Sequence, residues 1–145
     1  MHDTVQIPCD PLRWPPYFNP EPGTIACLEA LPLIGSAWRT KRFLIAQVSA
    51  RPWSCLNLWG SDPSVLRTLY VASCCVYTNY AWPSTCFIPD DPCDIIMWDP
   101  GPNLTFVVWW REIVAKFGLA NDSYWDVSGR SYGEFIQWLS KASLR

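Results

Sequence analysis

Residues 103–118, NLTFVVWWREIVAKFG, decide how the rest of this chain is interpreted. Apolar residues recur there at a helical period, and both ends carry a recognisable signal. Asn103 predicts an amino-terminal cap, and Gly118 favours the left-handed conformation that closes a helix. At 100° per residue, one face collects the side chains that we predict to be buried: Phe106, Val107, Trp110, Ile113, Val114 and Phe117. The stretch therefore predicts an amphipathic helix over residues 104–117.

Two further helices are predicted from their start signals. Asp62-Pro63 is a typical helix start, and the segment that follows predicts a helix over residues 63–80, ending before Pro83. Ser131 and Glu134 form a capping box that begins a last helix over residues 132–141. A single helical turn is predicted over residues 122–127. In the helix predicted over residues 63–80, side chains that recur at three- and four-residue steps form one apolar face, which we predict to be buried: Leu66, Leu69, Tyr70, Ser73, Val76, Tyr77 and Tyr80.

The first 61 residues predict an arm and short elements packed on the helical domain of residues 62–145. Six prolines exclude regular structure from residues 1–23, while interleaved aromatic residues indicate an extended arm lying on the domain. Residues 24–34 predict a short helix, and residues 37–50, AWRTKRFLIAQVSA, fit either a helix or a strand. We interpret Arg39, Lys41 and Arg42 as a solvated basic face. The two parts together predict one compact unit.

Composition limits the classes of partner and the compartment. The chain has 145 residues, of which 50% are hydrophobic, and a net charge of −2, so no basic surface for nucleic acid is expected. No apolar run approaches the roughly 20 residues that span a bilayer, and the amino terminus lacks a signal-peptide core. We therefore expect a cytoplasmic protein without membrane contact. In that compartment its seven cysteines are expected to be reduced, and they are not expected to form a metal site. Its ten tryptophans are expected to pack in the core.

Residues 81–102 predict a long ordered loop that is rich in proline and aspartate. Six apolar side chains would fix it to the core: Phe87, Ile88, Ile95, Ile96, Met97 and Trp98. The spacing of its four carboxylates is not that of a calcium loop, so turn chemistry explains them better than a metal ion does. The four acidic residues are Asp90, Asp91, Asp94 and Asp99.

The order of elements over residues 62–141 resembles an acyl or peptidyl carrier protein. The sequence NLTFVVWWREIVAKFGL is similar to the family's Ser-Leu opening, second helix and closing Phe-Gly. SYGEFIQWL is similar to the Thr-Val-Gly-Asp pattern that opens the family's last helix. The resemblance covers a little over half of the chain. It implies a mainly α fold, with a carrier-like helical bundle extended by an irregular Pro- and Trp-rich amino-terminal segment.

The sequence departs from the carrier family where the prosthetic group is attached. The family carries phosphopantetheine on a serine in an Asp-Ser-Leu motif, and this chain has Pro102-Asn103-Leu104 at that place. An asparagine amide cannot form the phosphoester, so no cofactor is expected. We therefore predict a non-catalytic protein-interaction module that binds an unidentified protein. The residues predicted to bind the partner are Asp90, Asp91, Asp94, Asp99, Asn103, Leu104 and Arg111.

Two other functions remain open from the sequence. The first is a small inhibitor of the immunity-protein kind, whose acidic loop 90–99 would cover a basic active site. The second is an enzyme of unrecognised type. The chain has a single histidine, His2, which argues against a catalytic triad. It has no glycine-rich phosphate loop, which argues against a nucleotide site. No catalytic residue is therefore predicted. The oligomeric state is left open by the sequence.

Overall fold

Helices dominate the computed structural model, which describes residues 9–16, 37–99, 104–120 and 125–143. These residues contain an isolated antiparallel bridge between Pro92 and Ser131 but no sheet. Helix α2 packs against both α4 and α5. The mainly α class is therefore confirmed. The described elements, in chain order, are α1 (Ala37–Ser49), a 3₁₀ helix (Trp53–Trp59), α2 (Pro63–Tyr80), α3 (Cys93–Ile96), α4 (Leu104–Phe117) and α5 (Tyr132–Ala142).

Helix α2 begins and ends where its sequence signals predict. Asp62 caps it, since the Asp62 carboxylate accepts the N–H of Ser64 at 2.9 Å, and Pro63 occupies the first turn, where its missing N–H costs nothing. The helix ends at Tyr80, and Ala81 takes a left-handed conformation with φ of 54°. Residues 37–49, which fitted a helix or a strand, form helix α1.

Helix α4 closes in the manner predicted from its glycine. Gly118 has φ of 62°, and the N–H of Leu119 donates to the carbonyl of Val114 at 3.0 Å. This bond satisfies one of the carbonyl groups left free at the end of the helix. The predicted amino-terminal cap, Asn103, lies outside the described residues.

Helix α5 starts against the long loop in a very close backbone approach. The hydroxyl of Ser131 accepts the N–H of Glu134 at 3.1 Å, which is the forward half of the predicted capping box. The N–H of Gly133 donates to the carbonyl of Pro89 at 2.8 Å. A Cβ at position 133 would lie 3.0 Å from both the Cβ and the carbonyl oxygen of Pro89, so glycine is what allows the contact.

The predicted turn at 122–127 is wrong for residues 125–127, which have no regular structure; residues 121–124 lie outside the described part.

The buried faces of α2 and α4 differ from the predicted faces. On α2, Leu66, Tyr70 and Tyr77 were predicted to be buried, and all three are exposed. On α4, Val107 is exposed while Trp109 is fully buried, so the core-facing stripe is rotated by about one residue position. The reason is that both helices are apolar on more than one side, and packing against two neighbours selects the side. The buried residues of α2 are Val65, Thr68, Leu69, Ala72, Ser73, Cys75, Val76 and Tyr80.

Aromatic side chains run through the core as a chain of ring contacts. Phe87 contacts Trp82 at 5.5 Å and Tyr132 at 5.6 Å between centroids, both nearly edge to face. The packing role predicted for the tryptophans holds for the eight that are buried or half-buried, whereas Trp38 and Trp53 are exposed. The predicted loop anchors are buried as well, with Trp98 half-buried: Phe87, Ile88, Ile95, Ile96 and Met97.

Candidate functional site

Asp91 and Arg51 form a buried ion pair at the centre of the described structure. The carboxylate of Asp91 is fully buried and receives two guanidinium contacts from Arg51, at 2.6 and 2.7 Å. It also accepts the N–H groups of Leu12 at 2.9 Å and Ile88 at 2.8 Å. The backbone carbonyl of Asp91 accepts the N–H of Tyr132 at 2.7 Å. Asp91 was predicted to face a partner, but its carboxylate is a fully bonded internal cross-link between elements far apart in the sequence.

Residues 9–16 lie beside this ion pair, in contact with Gln47, Arg51, Asp91 and Trp98. We call the surface formed by these four residues the arm groove. The side-chain amide of Gln47 accepts the N–H of Arg13 at 3.2 Å and donates to its carbonyl at 2.9 Å. The guanidinium of Arg51 donates to the carbonyl of Asp10 at 2.7 Å. The arm therefore binds through its backbone as well as through its side chains.

Apolar side chains of the arm complete its contact with the groove. Leu12 is 3% exposed, Pro15 is buried, and Trp14 meets the ring of Trp98 edge to face at 5.5 Å. A disulfide between Cys9 and Cys55 joins the start of the described arm to the 3₁₀ helix. The described part of the arm therefore contacts the domain through hydrogen bonds, apolar side chains and the disulfide.

The expectation that all cysteines are reduced is wrong for Cys9 and Cys55. Cys9 lies at the start of the arm, and Cys55 lies four residues after Arg51, whose guanidinium binds the arm at Asp10. The spacing of cysteines in the sequence does not show that these two segments are in contact. The free thiols of the described residues are Cys74, Cys75, Cys86 and Cys93. Burial raises the pKa of Cys93 to about 12, and burial together with the nearby Glu112 raises the pKa of Cys75 to about 12. These two thiols are inert at neutral pH, since the thiolate is the reactive form.

Among the three basic residues of α1, Lys41 has an exposure that differs from the prediction. It was predicted to lie on a solvated face, yet it is 3% exposed, with its ammonium 3.8 Å from the centroid of the Trp82 ring. Burial lowers its pKa from 10.5 to about 8, and the carboxylate of Asp99 opposes that shift. The neighbouring arginines gave no signal that the middle residue of this basic group turns inward.

Unpaired polar atoms accompany Lys41 in the core. The Lys41 amine, the Thr40 hydroxyl, the Tyr80 hydroxyl and the Trp109 indole N–H are buried without a hydrogen-bond partner. Burial, together with the Asp99 carboxylate, raises the pKa of Tyr80, so the phenol stays neutral. A desolvated amine is a possible nucleophile or base in an open cleft. The Lys41 amine is instead enclosed against the Trp82 indole ring, with 3% of the residue exposed.

The other predicted acidic residues do not form one surface with Asp91. Asp90 is exposed. Asp94 is exposed too, but its carboxylate accepts the N–H of Gly129 at 3.0 Å. Asp99 is half-buried and accepts the hydroxyl of Thr105 at the start of α4. The loop thus presents less free carboxylate to a partner than its composition suggests.

The outward side of α4 exposes apolar side chains to solvent. We call it the α4 surface and define it by Val107, Val108, Arg111, Ala115 and Gly118. All five residues are exposed, the two valines by 43% and 55%. Arg111 is one of the predicted partner-binding residues. Leu104 begins this helix, and Asn103 lies outside the described residues.

A groove continues the α4 surface toward the end of the helix. Its volume is about 640 Å³, and it is lined by Trp110, Arg111, Val114, Ala115, Gly118 and Leu119. The rings of Trp110 and Phe106 are stacked at 6.5 Å, and those of Trp110 and Trp138 at 6.2 Å. These two rings cover part of the Trp110 surface. The aliphatic side chains in the lining, Val114 and Leu119, suit an aliphatic side chain of a partner.

The comparisons with known protein families, curated proteins and solved structures give no match to this chain. Across the residues that the structure describes, no three His, Cys, Asp or Glu side chains are grouped as metal ligands. None of the described helices is long and apolar enough to span a membrane.

Proposed function

We propose that this chain is a non-catalytic protein-interaction module that binds its partner through the α4 surface. The observation that supports the proposal most is the exposure of Val107 and Val108 beside the groove that Arg111 lines. Adjacent apolar side chains next to a concave, partly charged groove are typical of protein-binding surfaces. A partner would cover the valines and place an apolar side chain in the groove.

Charge defines the partner further. Arg111 is exposed at the groove, while the nearby Lys116 is paired with Glu112 at 3.5 Å. Among the residues that the structure describes, Arg111 is in no ion pair, so it gives this apolar area a positive charge. The matching partner carries a carboxylate next to an aliphatic side chain, as an amphipathic acidic helix does.

The relation to carrier proteins is part of the proposal. The order of α2, the long loop, α4 and α5 supports it, because this is the order that the carrier resemblance predicts. The attachment serine is replaced by Asn103. Incubation of the protein with a phosphopantetheinyl transferase and coenzyme A should therefore leave its intact mass unchanged. A gain equal to the mass of the phosphopantetheine arm would show that another residue accepts it.

An inhibitor that uses the acidic loop has less support. It needs several carboxylates free to meet a basic active site. The carboxylate of Asp91 is paired with Arg51. Those of Asp94 and Asp99 accept hydrogen bonds from Gly129 and Thr105 of the same chain. Asp90 is the loop carboxylate that the structure leaves most available.

Affinity capture from the native cell, followed by quantitative mass spectrometry, tests the docking surface. Val108→Glu and Arg111→Glu should each reduce recovery of the partner at least tenfold, because they introduce acid where we place an acidic partner. Tyr70→Glu changes an exposed aromatic residue on α2, 72% exposed against 55% for Val108, and serves as the control, with recovery unchanged. Loss of the partner with Asp90→Lys, but not with Val108→Glu, would instead favour the inhibitor.

A further inference from the structure

We propose that the arm groove is a second protein-binding site, that it accepts extended, proline-containing peptides, and that residues 9–16 occupy it within the chain under control of the Cys9–Cys55 disulfide. This site is separate from the α4 surface and does not depend on the function proposed for that surface. The chain's own segment, seated in the groove, defines the chemistry of the occupant.

The backbone contacts are of a kind that many sequences can make. Gln47 pairs with both the N–H and the carbonyl of Arg13, at 3.2 and 2.9 Å, as a neighbouring strand would. Asp91 accepts the N–H of Leu12 at 2.9 Å, and Arg51 donates to the carbonyl of Asp10 at 2.7 Å. All four bonds are made to the main chain of the arm. Any extended peptide can supply the same donors and acceptors.

Side-chain positions supply the selectivity. Leu12 and Pro15, three residues apart, are buried, and Trp14 makes a T-shaped ring contact with Trp98. Arg13 lies exposed between them. Pro11 and Pro15 also pre-order an extended backbone, which lowers the entropy lost on binding. The occupant is therefore an extended peptide with leucine and proline three residues apart and an aromatic residue directly before the proline.

The disulfide keeps the chain's own arm in place. While Cys9 and Cys55 are bonded, the start of the arm is tied to the 3₁₀ helix, which restricts how far the arm can move from the groove. Reduction by a dithiol breaks the S–S bond, transfers two electrons and two protons to Cys9 and Cys55, and leaves the reductant as its own disulfide. Cys9 is half-buried while Cys55 is fully buried, so the attacking thiolate would reach the Cys9 sulfur first. The groove is thus closed in an oxidising compartment and exchangeable in a reducing one.

Tryptic cleavage after Arg13 of the full-length wild-type chain measures the exchange. Arg13 has an exposed side chain, but its backbone N–H and carbonyl are bonded to Gln47, which protects the bond from the protease while the arm is seated. The probe is the peptide of residues 10–16 with alanine at the arginine position, DPLAWPP, which trypsin cannot cut. The control is the same peptide with aspartate in place of leucine. Released fragments are quantified by mass spectrometry after acid quenching and reduction.

We expect three results. Cleavage after Arg13 is slow in the oxidised protein, at least fivefold faster after reduction, and faster again with saturating DPLAWPP. The aspartate-containing peptide has no effect. Cleavage after Arg67, inside α2, stays constant, which shows that the changes are not global unfolding.

Three outcomes would overturn the proposal. An unchanged rate after reduction means that the hydrogen bonds and apolar contacts of the arm hold it without the disulfide, and that the disulfide controls nothing. A reduced protein whose cleavage is unaffected by DPLAWPP means that the arm groove does not exchange its occupant. If cleavage after Arg67 rises in parallel with cleavage after Arg13, reduction unfolds the domain, and the disulfide is structural rather than regulatory.

Discussion

Asp90 and Asp91 are neighbours in the sequence with entirely different environments. Asp90 is exposed, whereas Asp91 is fully buried against Arg51 and two backbone N–H groups. Asp91→Asn should therefore lower the free energy of unfolding by about 3–5 kcal/mol, because it leaves a buried guanidinium without its counter-charge. Asp90→Asn is the matched control and should change it by less than about 0.5 kcal/mol. Urea denaturation at pH 7 measures both. Similar effects of the two substitutions would contradict a structural role for Asp91.

Lys41 predicts an unusual dependence of stability on pH. Its pKa is lowered to about 8 in the folded state from 10.5, so the folded protein binds fewer protons than the unfolded chain between these values. Stability should therefore rise with pH across this window, by about 3 kcal/mol from this group. Lys41→Met removes the buried ammonium. It should stabilise the protein at pH 7, where the penalty is fully present, by about 1–3 kcal/mol.

Other groups titrate in the same range with the opposite sign. The raised pKa of the Cys75 and Cys93 thiols means that the folded state keeps their protons while the unfolded state loses them, so stability falls above pH 9. The difference between wild type and Lys41→Met at each pH isolates the lysine. That difference should shrink from pH 7 to pH 10. A Met variant that is less stable than wild type at pH 7 would show that contact with Trp82 outweighs the cost of burial.

Residue identity predicted the ends of elements but not the buried charges. Asp62, Gly118 and Ser131 act as predicted because a cap or a left-handed turn depends on atoms within a few residues. Asp91 and Lys41 are placed by partners about forty residues away, at Arg51 and Trp82. No local pattern contains that information. For this reason the loop carboxylates were assigned to turns or to a partner, and the basic run was assigned to a solvated face.

At the scale of elements, helix positions were easier to predict than helix faces. The bounds of α2 and α4 match the predicted 63–80 and 104–117. The faces do not match, because Leu66, Tyr70 and Val107 extend the apolar stripe beyond what the core can cover. The surplus apolar residues on α4 lie beside the groove that Arg111 lines. The candidate site thus includes Val107 and Val114, which the helical period had assigned to the buried face.

Contact between α5 and the long loop depends on one glycine. Gly133→Ala would bring a Cβ to 3.0 Å from two backbone-fixed atoms of Pro89, so the start of α5 must shift away. We expect a loss of about 1–3 kcal/mol of stability, despite the higher helix propensity of alanine. Gln137→Ala, at an exposed position of the same helix, should change stability by less than about 0.5 kcal/mol. Thermal unfolding followed by circular dichroism measures both variants. An alanine at 133 as stable as wild type would show that the loop moves freely.

For the whole molecule, the arm, the loop and α5 are joined through one ion pair. Asp91 bonds to Leu12 of the arm and, through its carbonyl, to Tyr132 at the start of α5. Arg51 extends the link to the end of α1 and to Cys86 of the loop. The predicted segments 1–61 and 62–145 are therefore cross-linked in the region that the structure describes. We expect their described parts to unfold in one transition, with tryptophan fluorescence and circular dichroism giving coincident curves.

The Cys9–Cys55 disulfide should contribute to the stability of this unit mainly through the unfolded chain. It closes a loop with a sequence separation of 46, for which the chain-entropy relation gives about 4 kcal/mol. Reduced wild type and the double variant Cys9→Ser with Cys55→Ala should both lose about this amount in urea denaturation. Both should remain folded at 25 °C, because the four backbone bonds of the arm and the Arg51–Asp91 pair do not require the disulfide. A loss below about 1 kcal/mol would mean that the unfolded chain already holds the two cysteines close together. Complete unfolding on reduction would mean that the arm contacts contribute little of their own, so the groove could not hold an unlinked peptide.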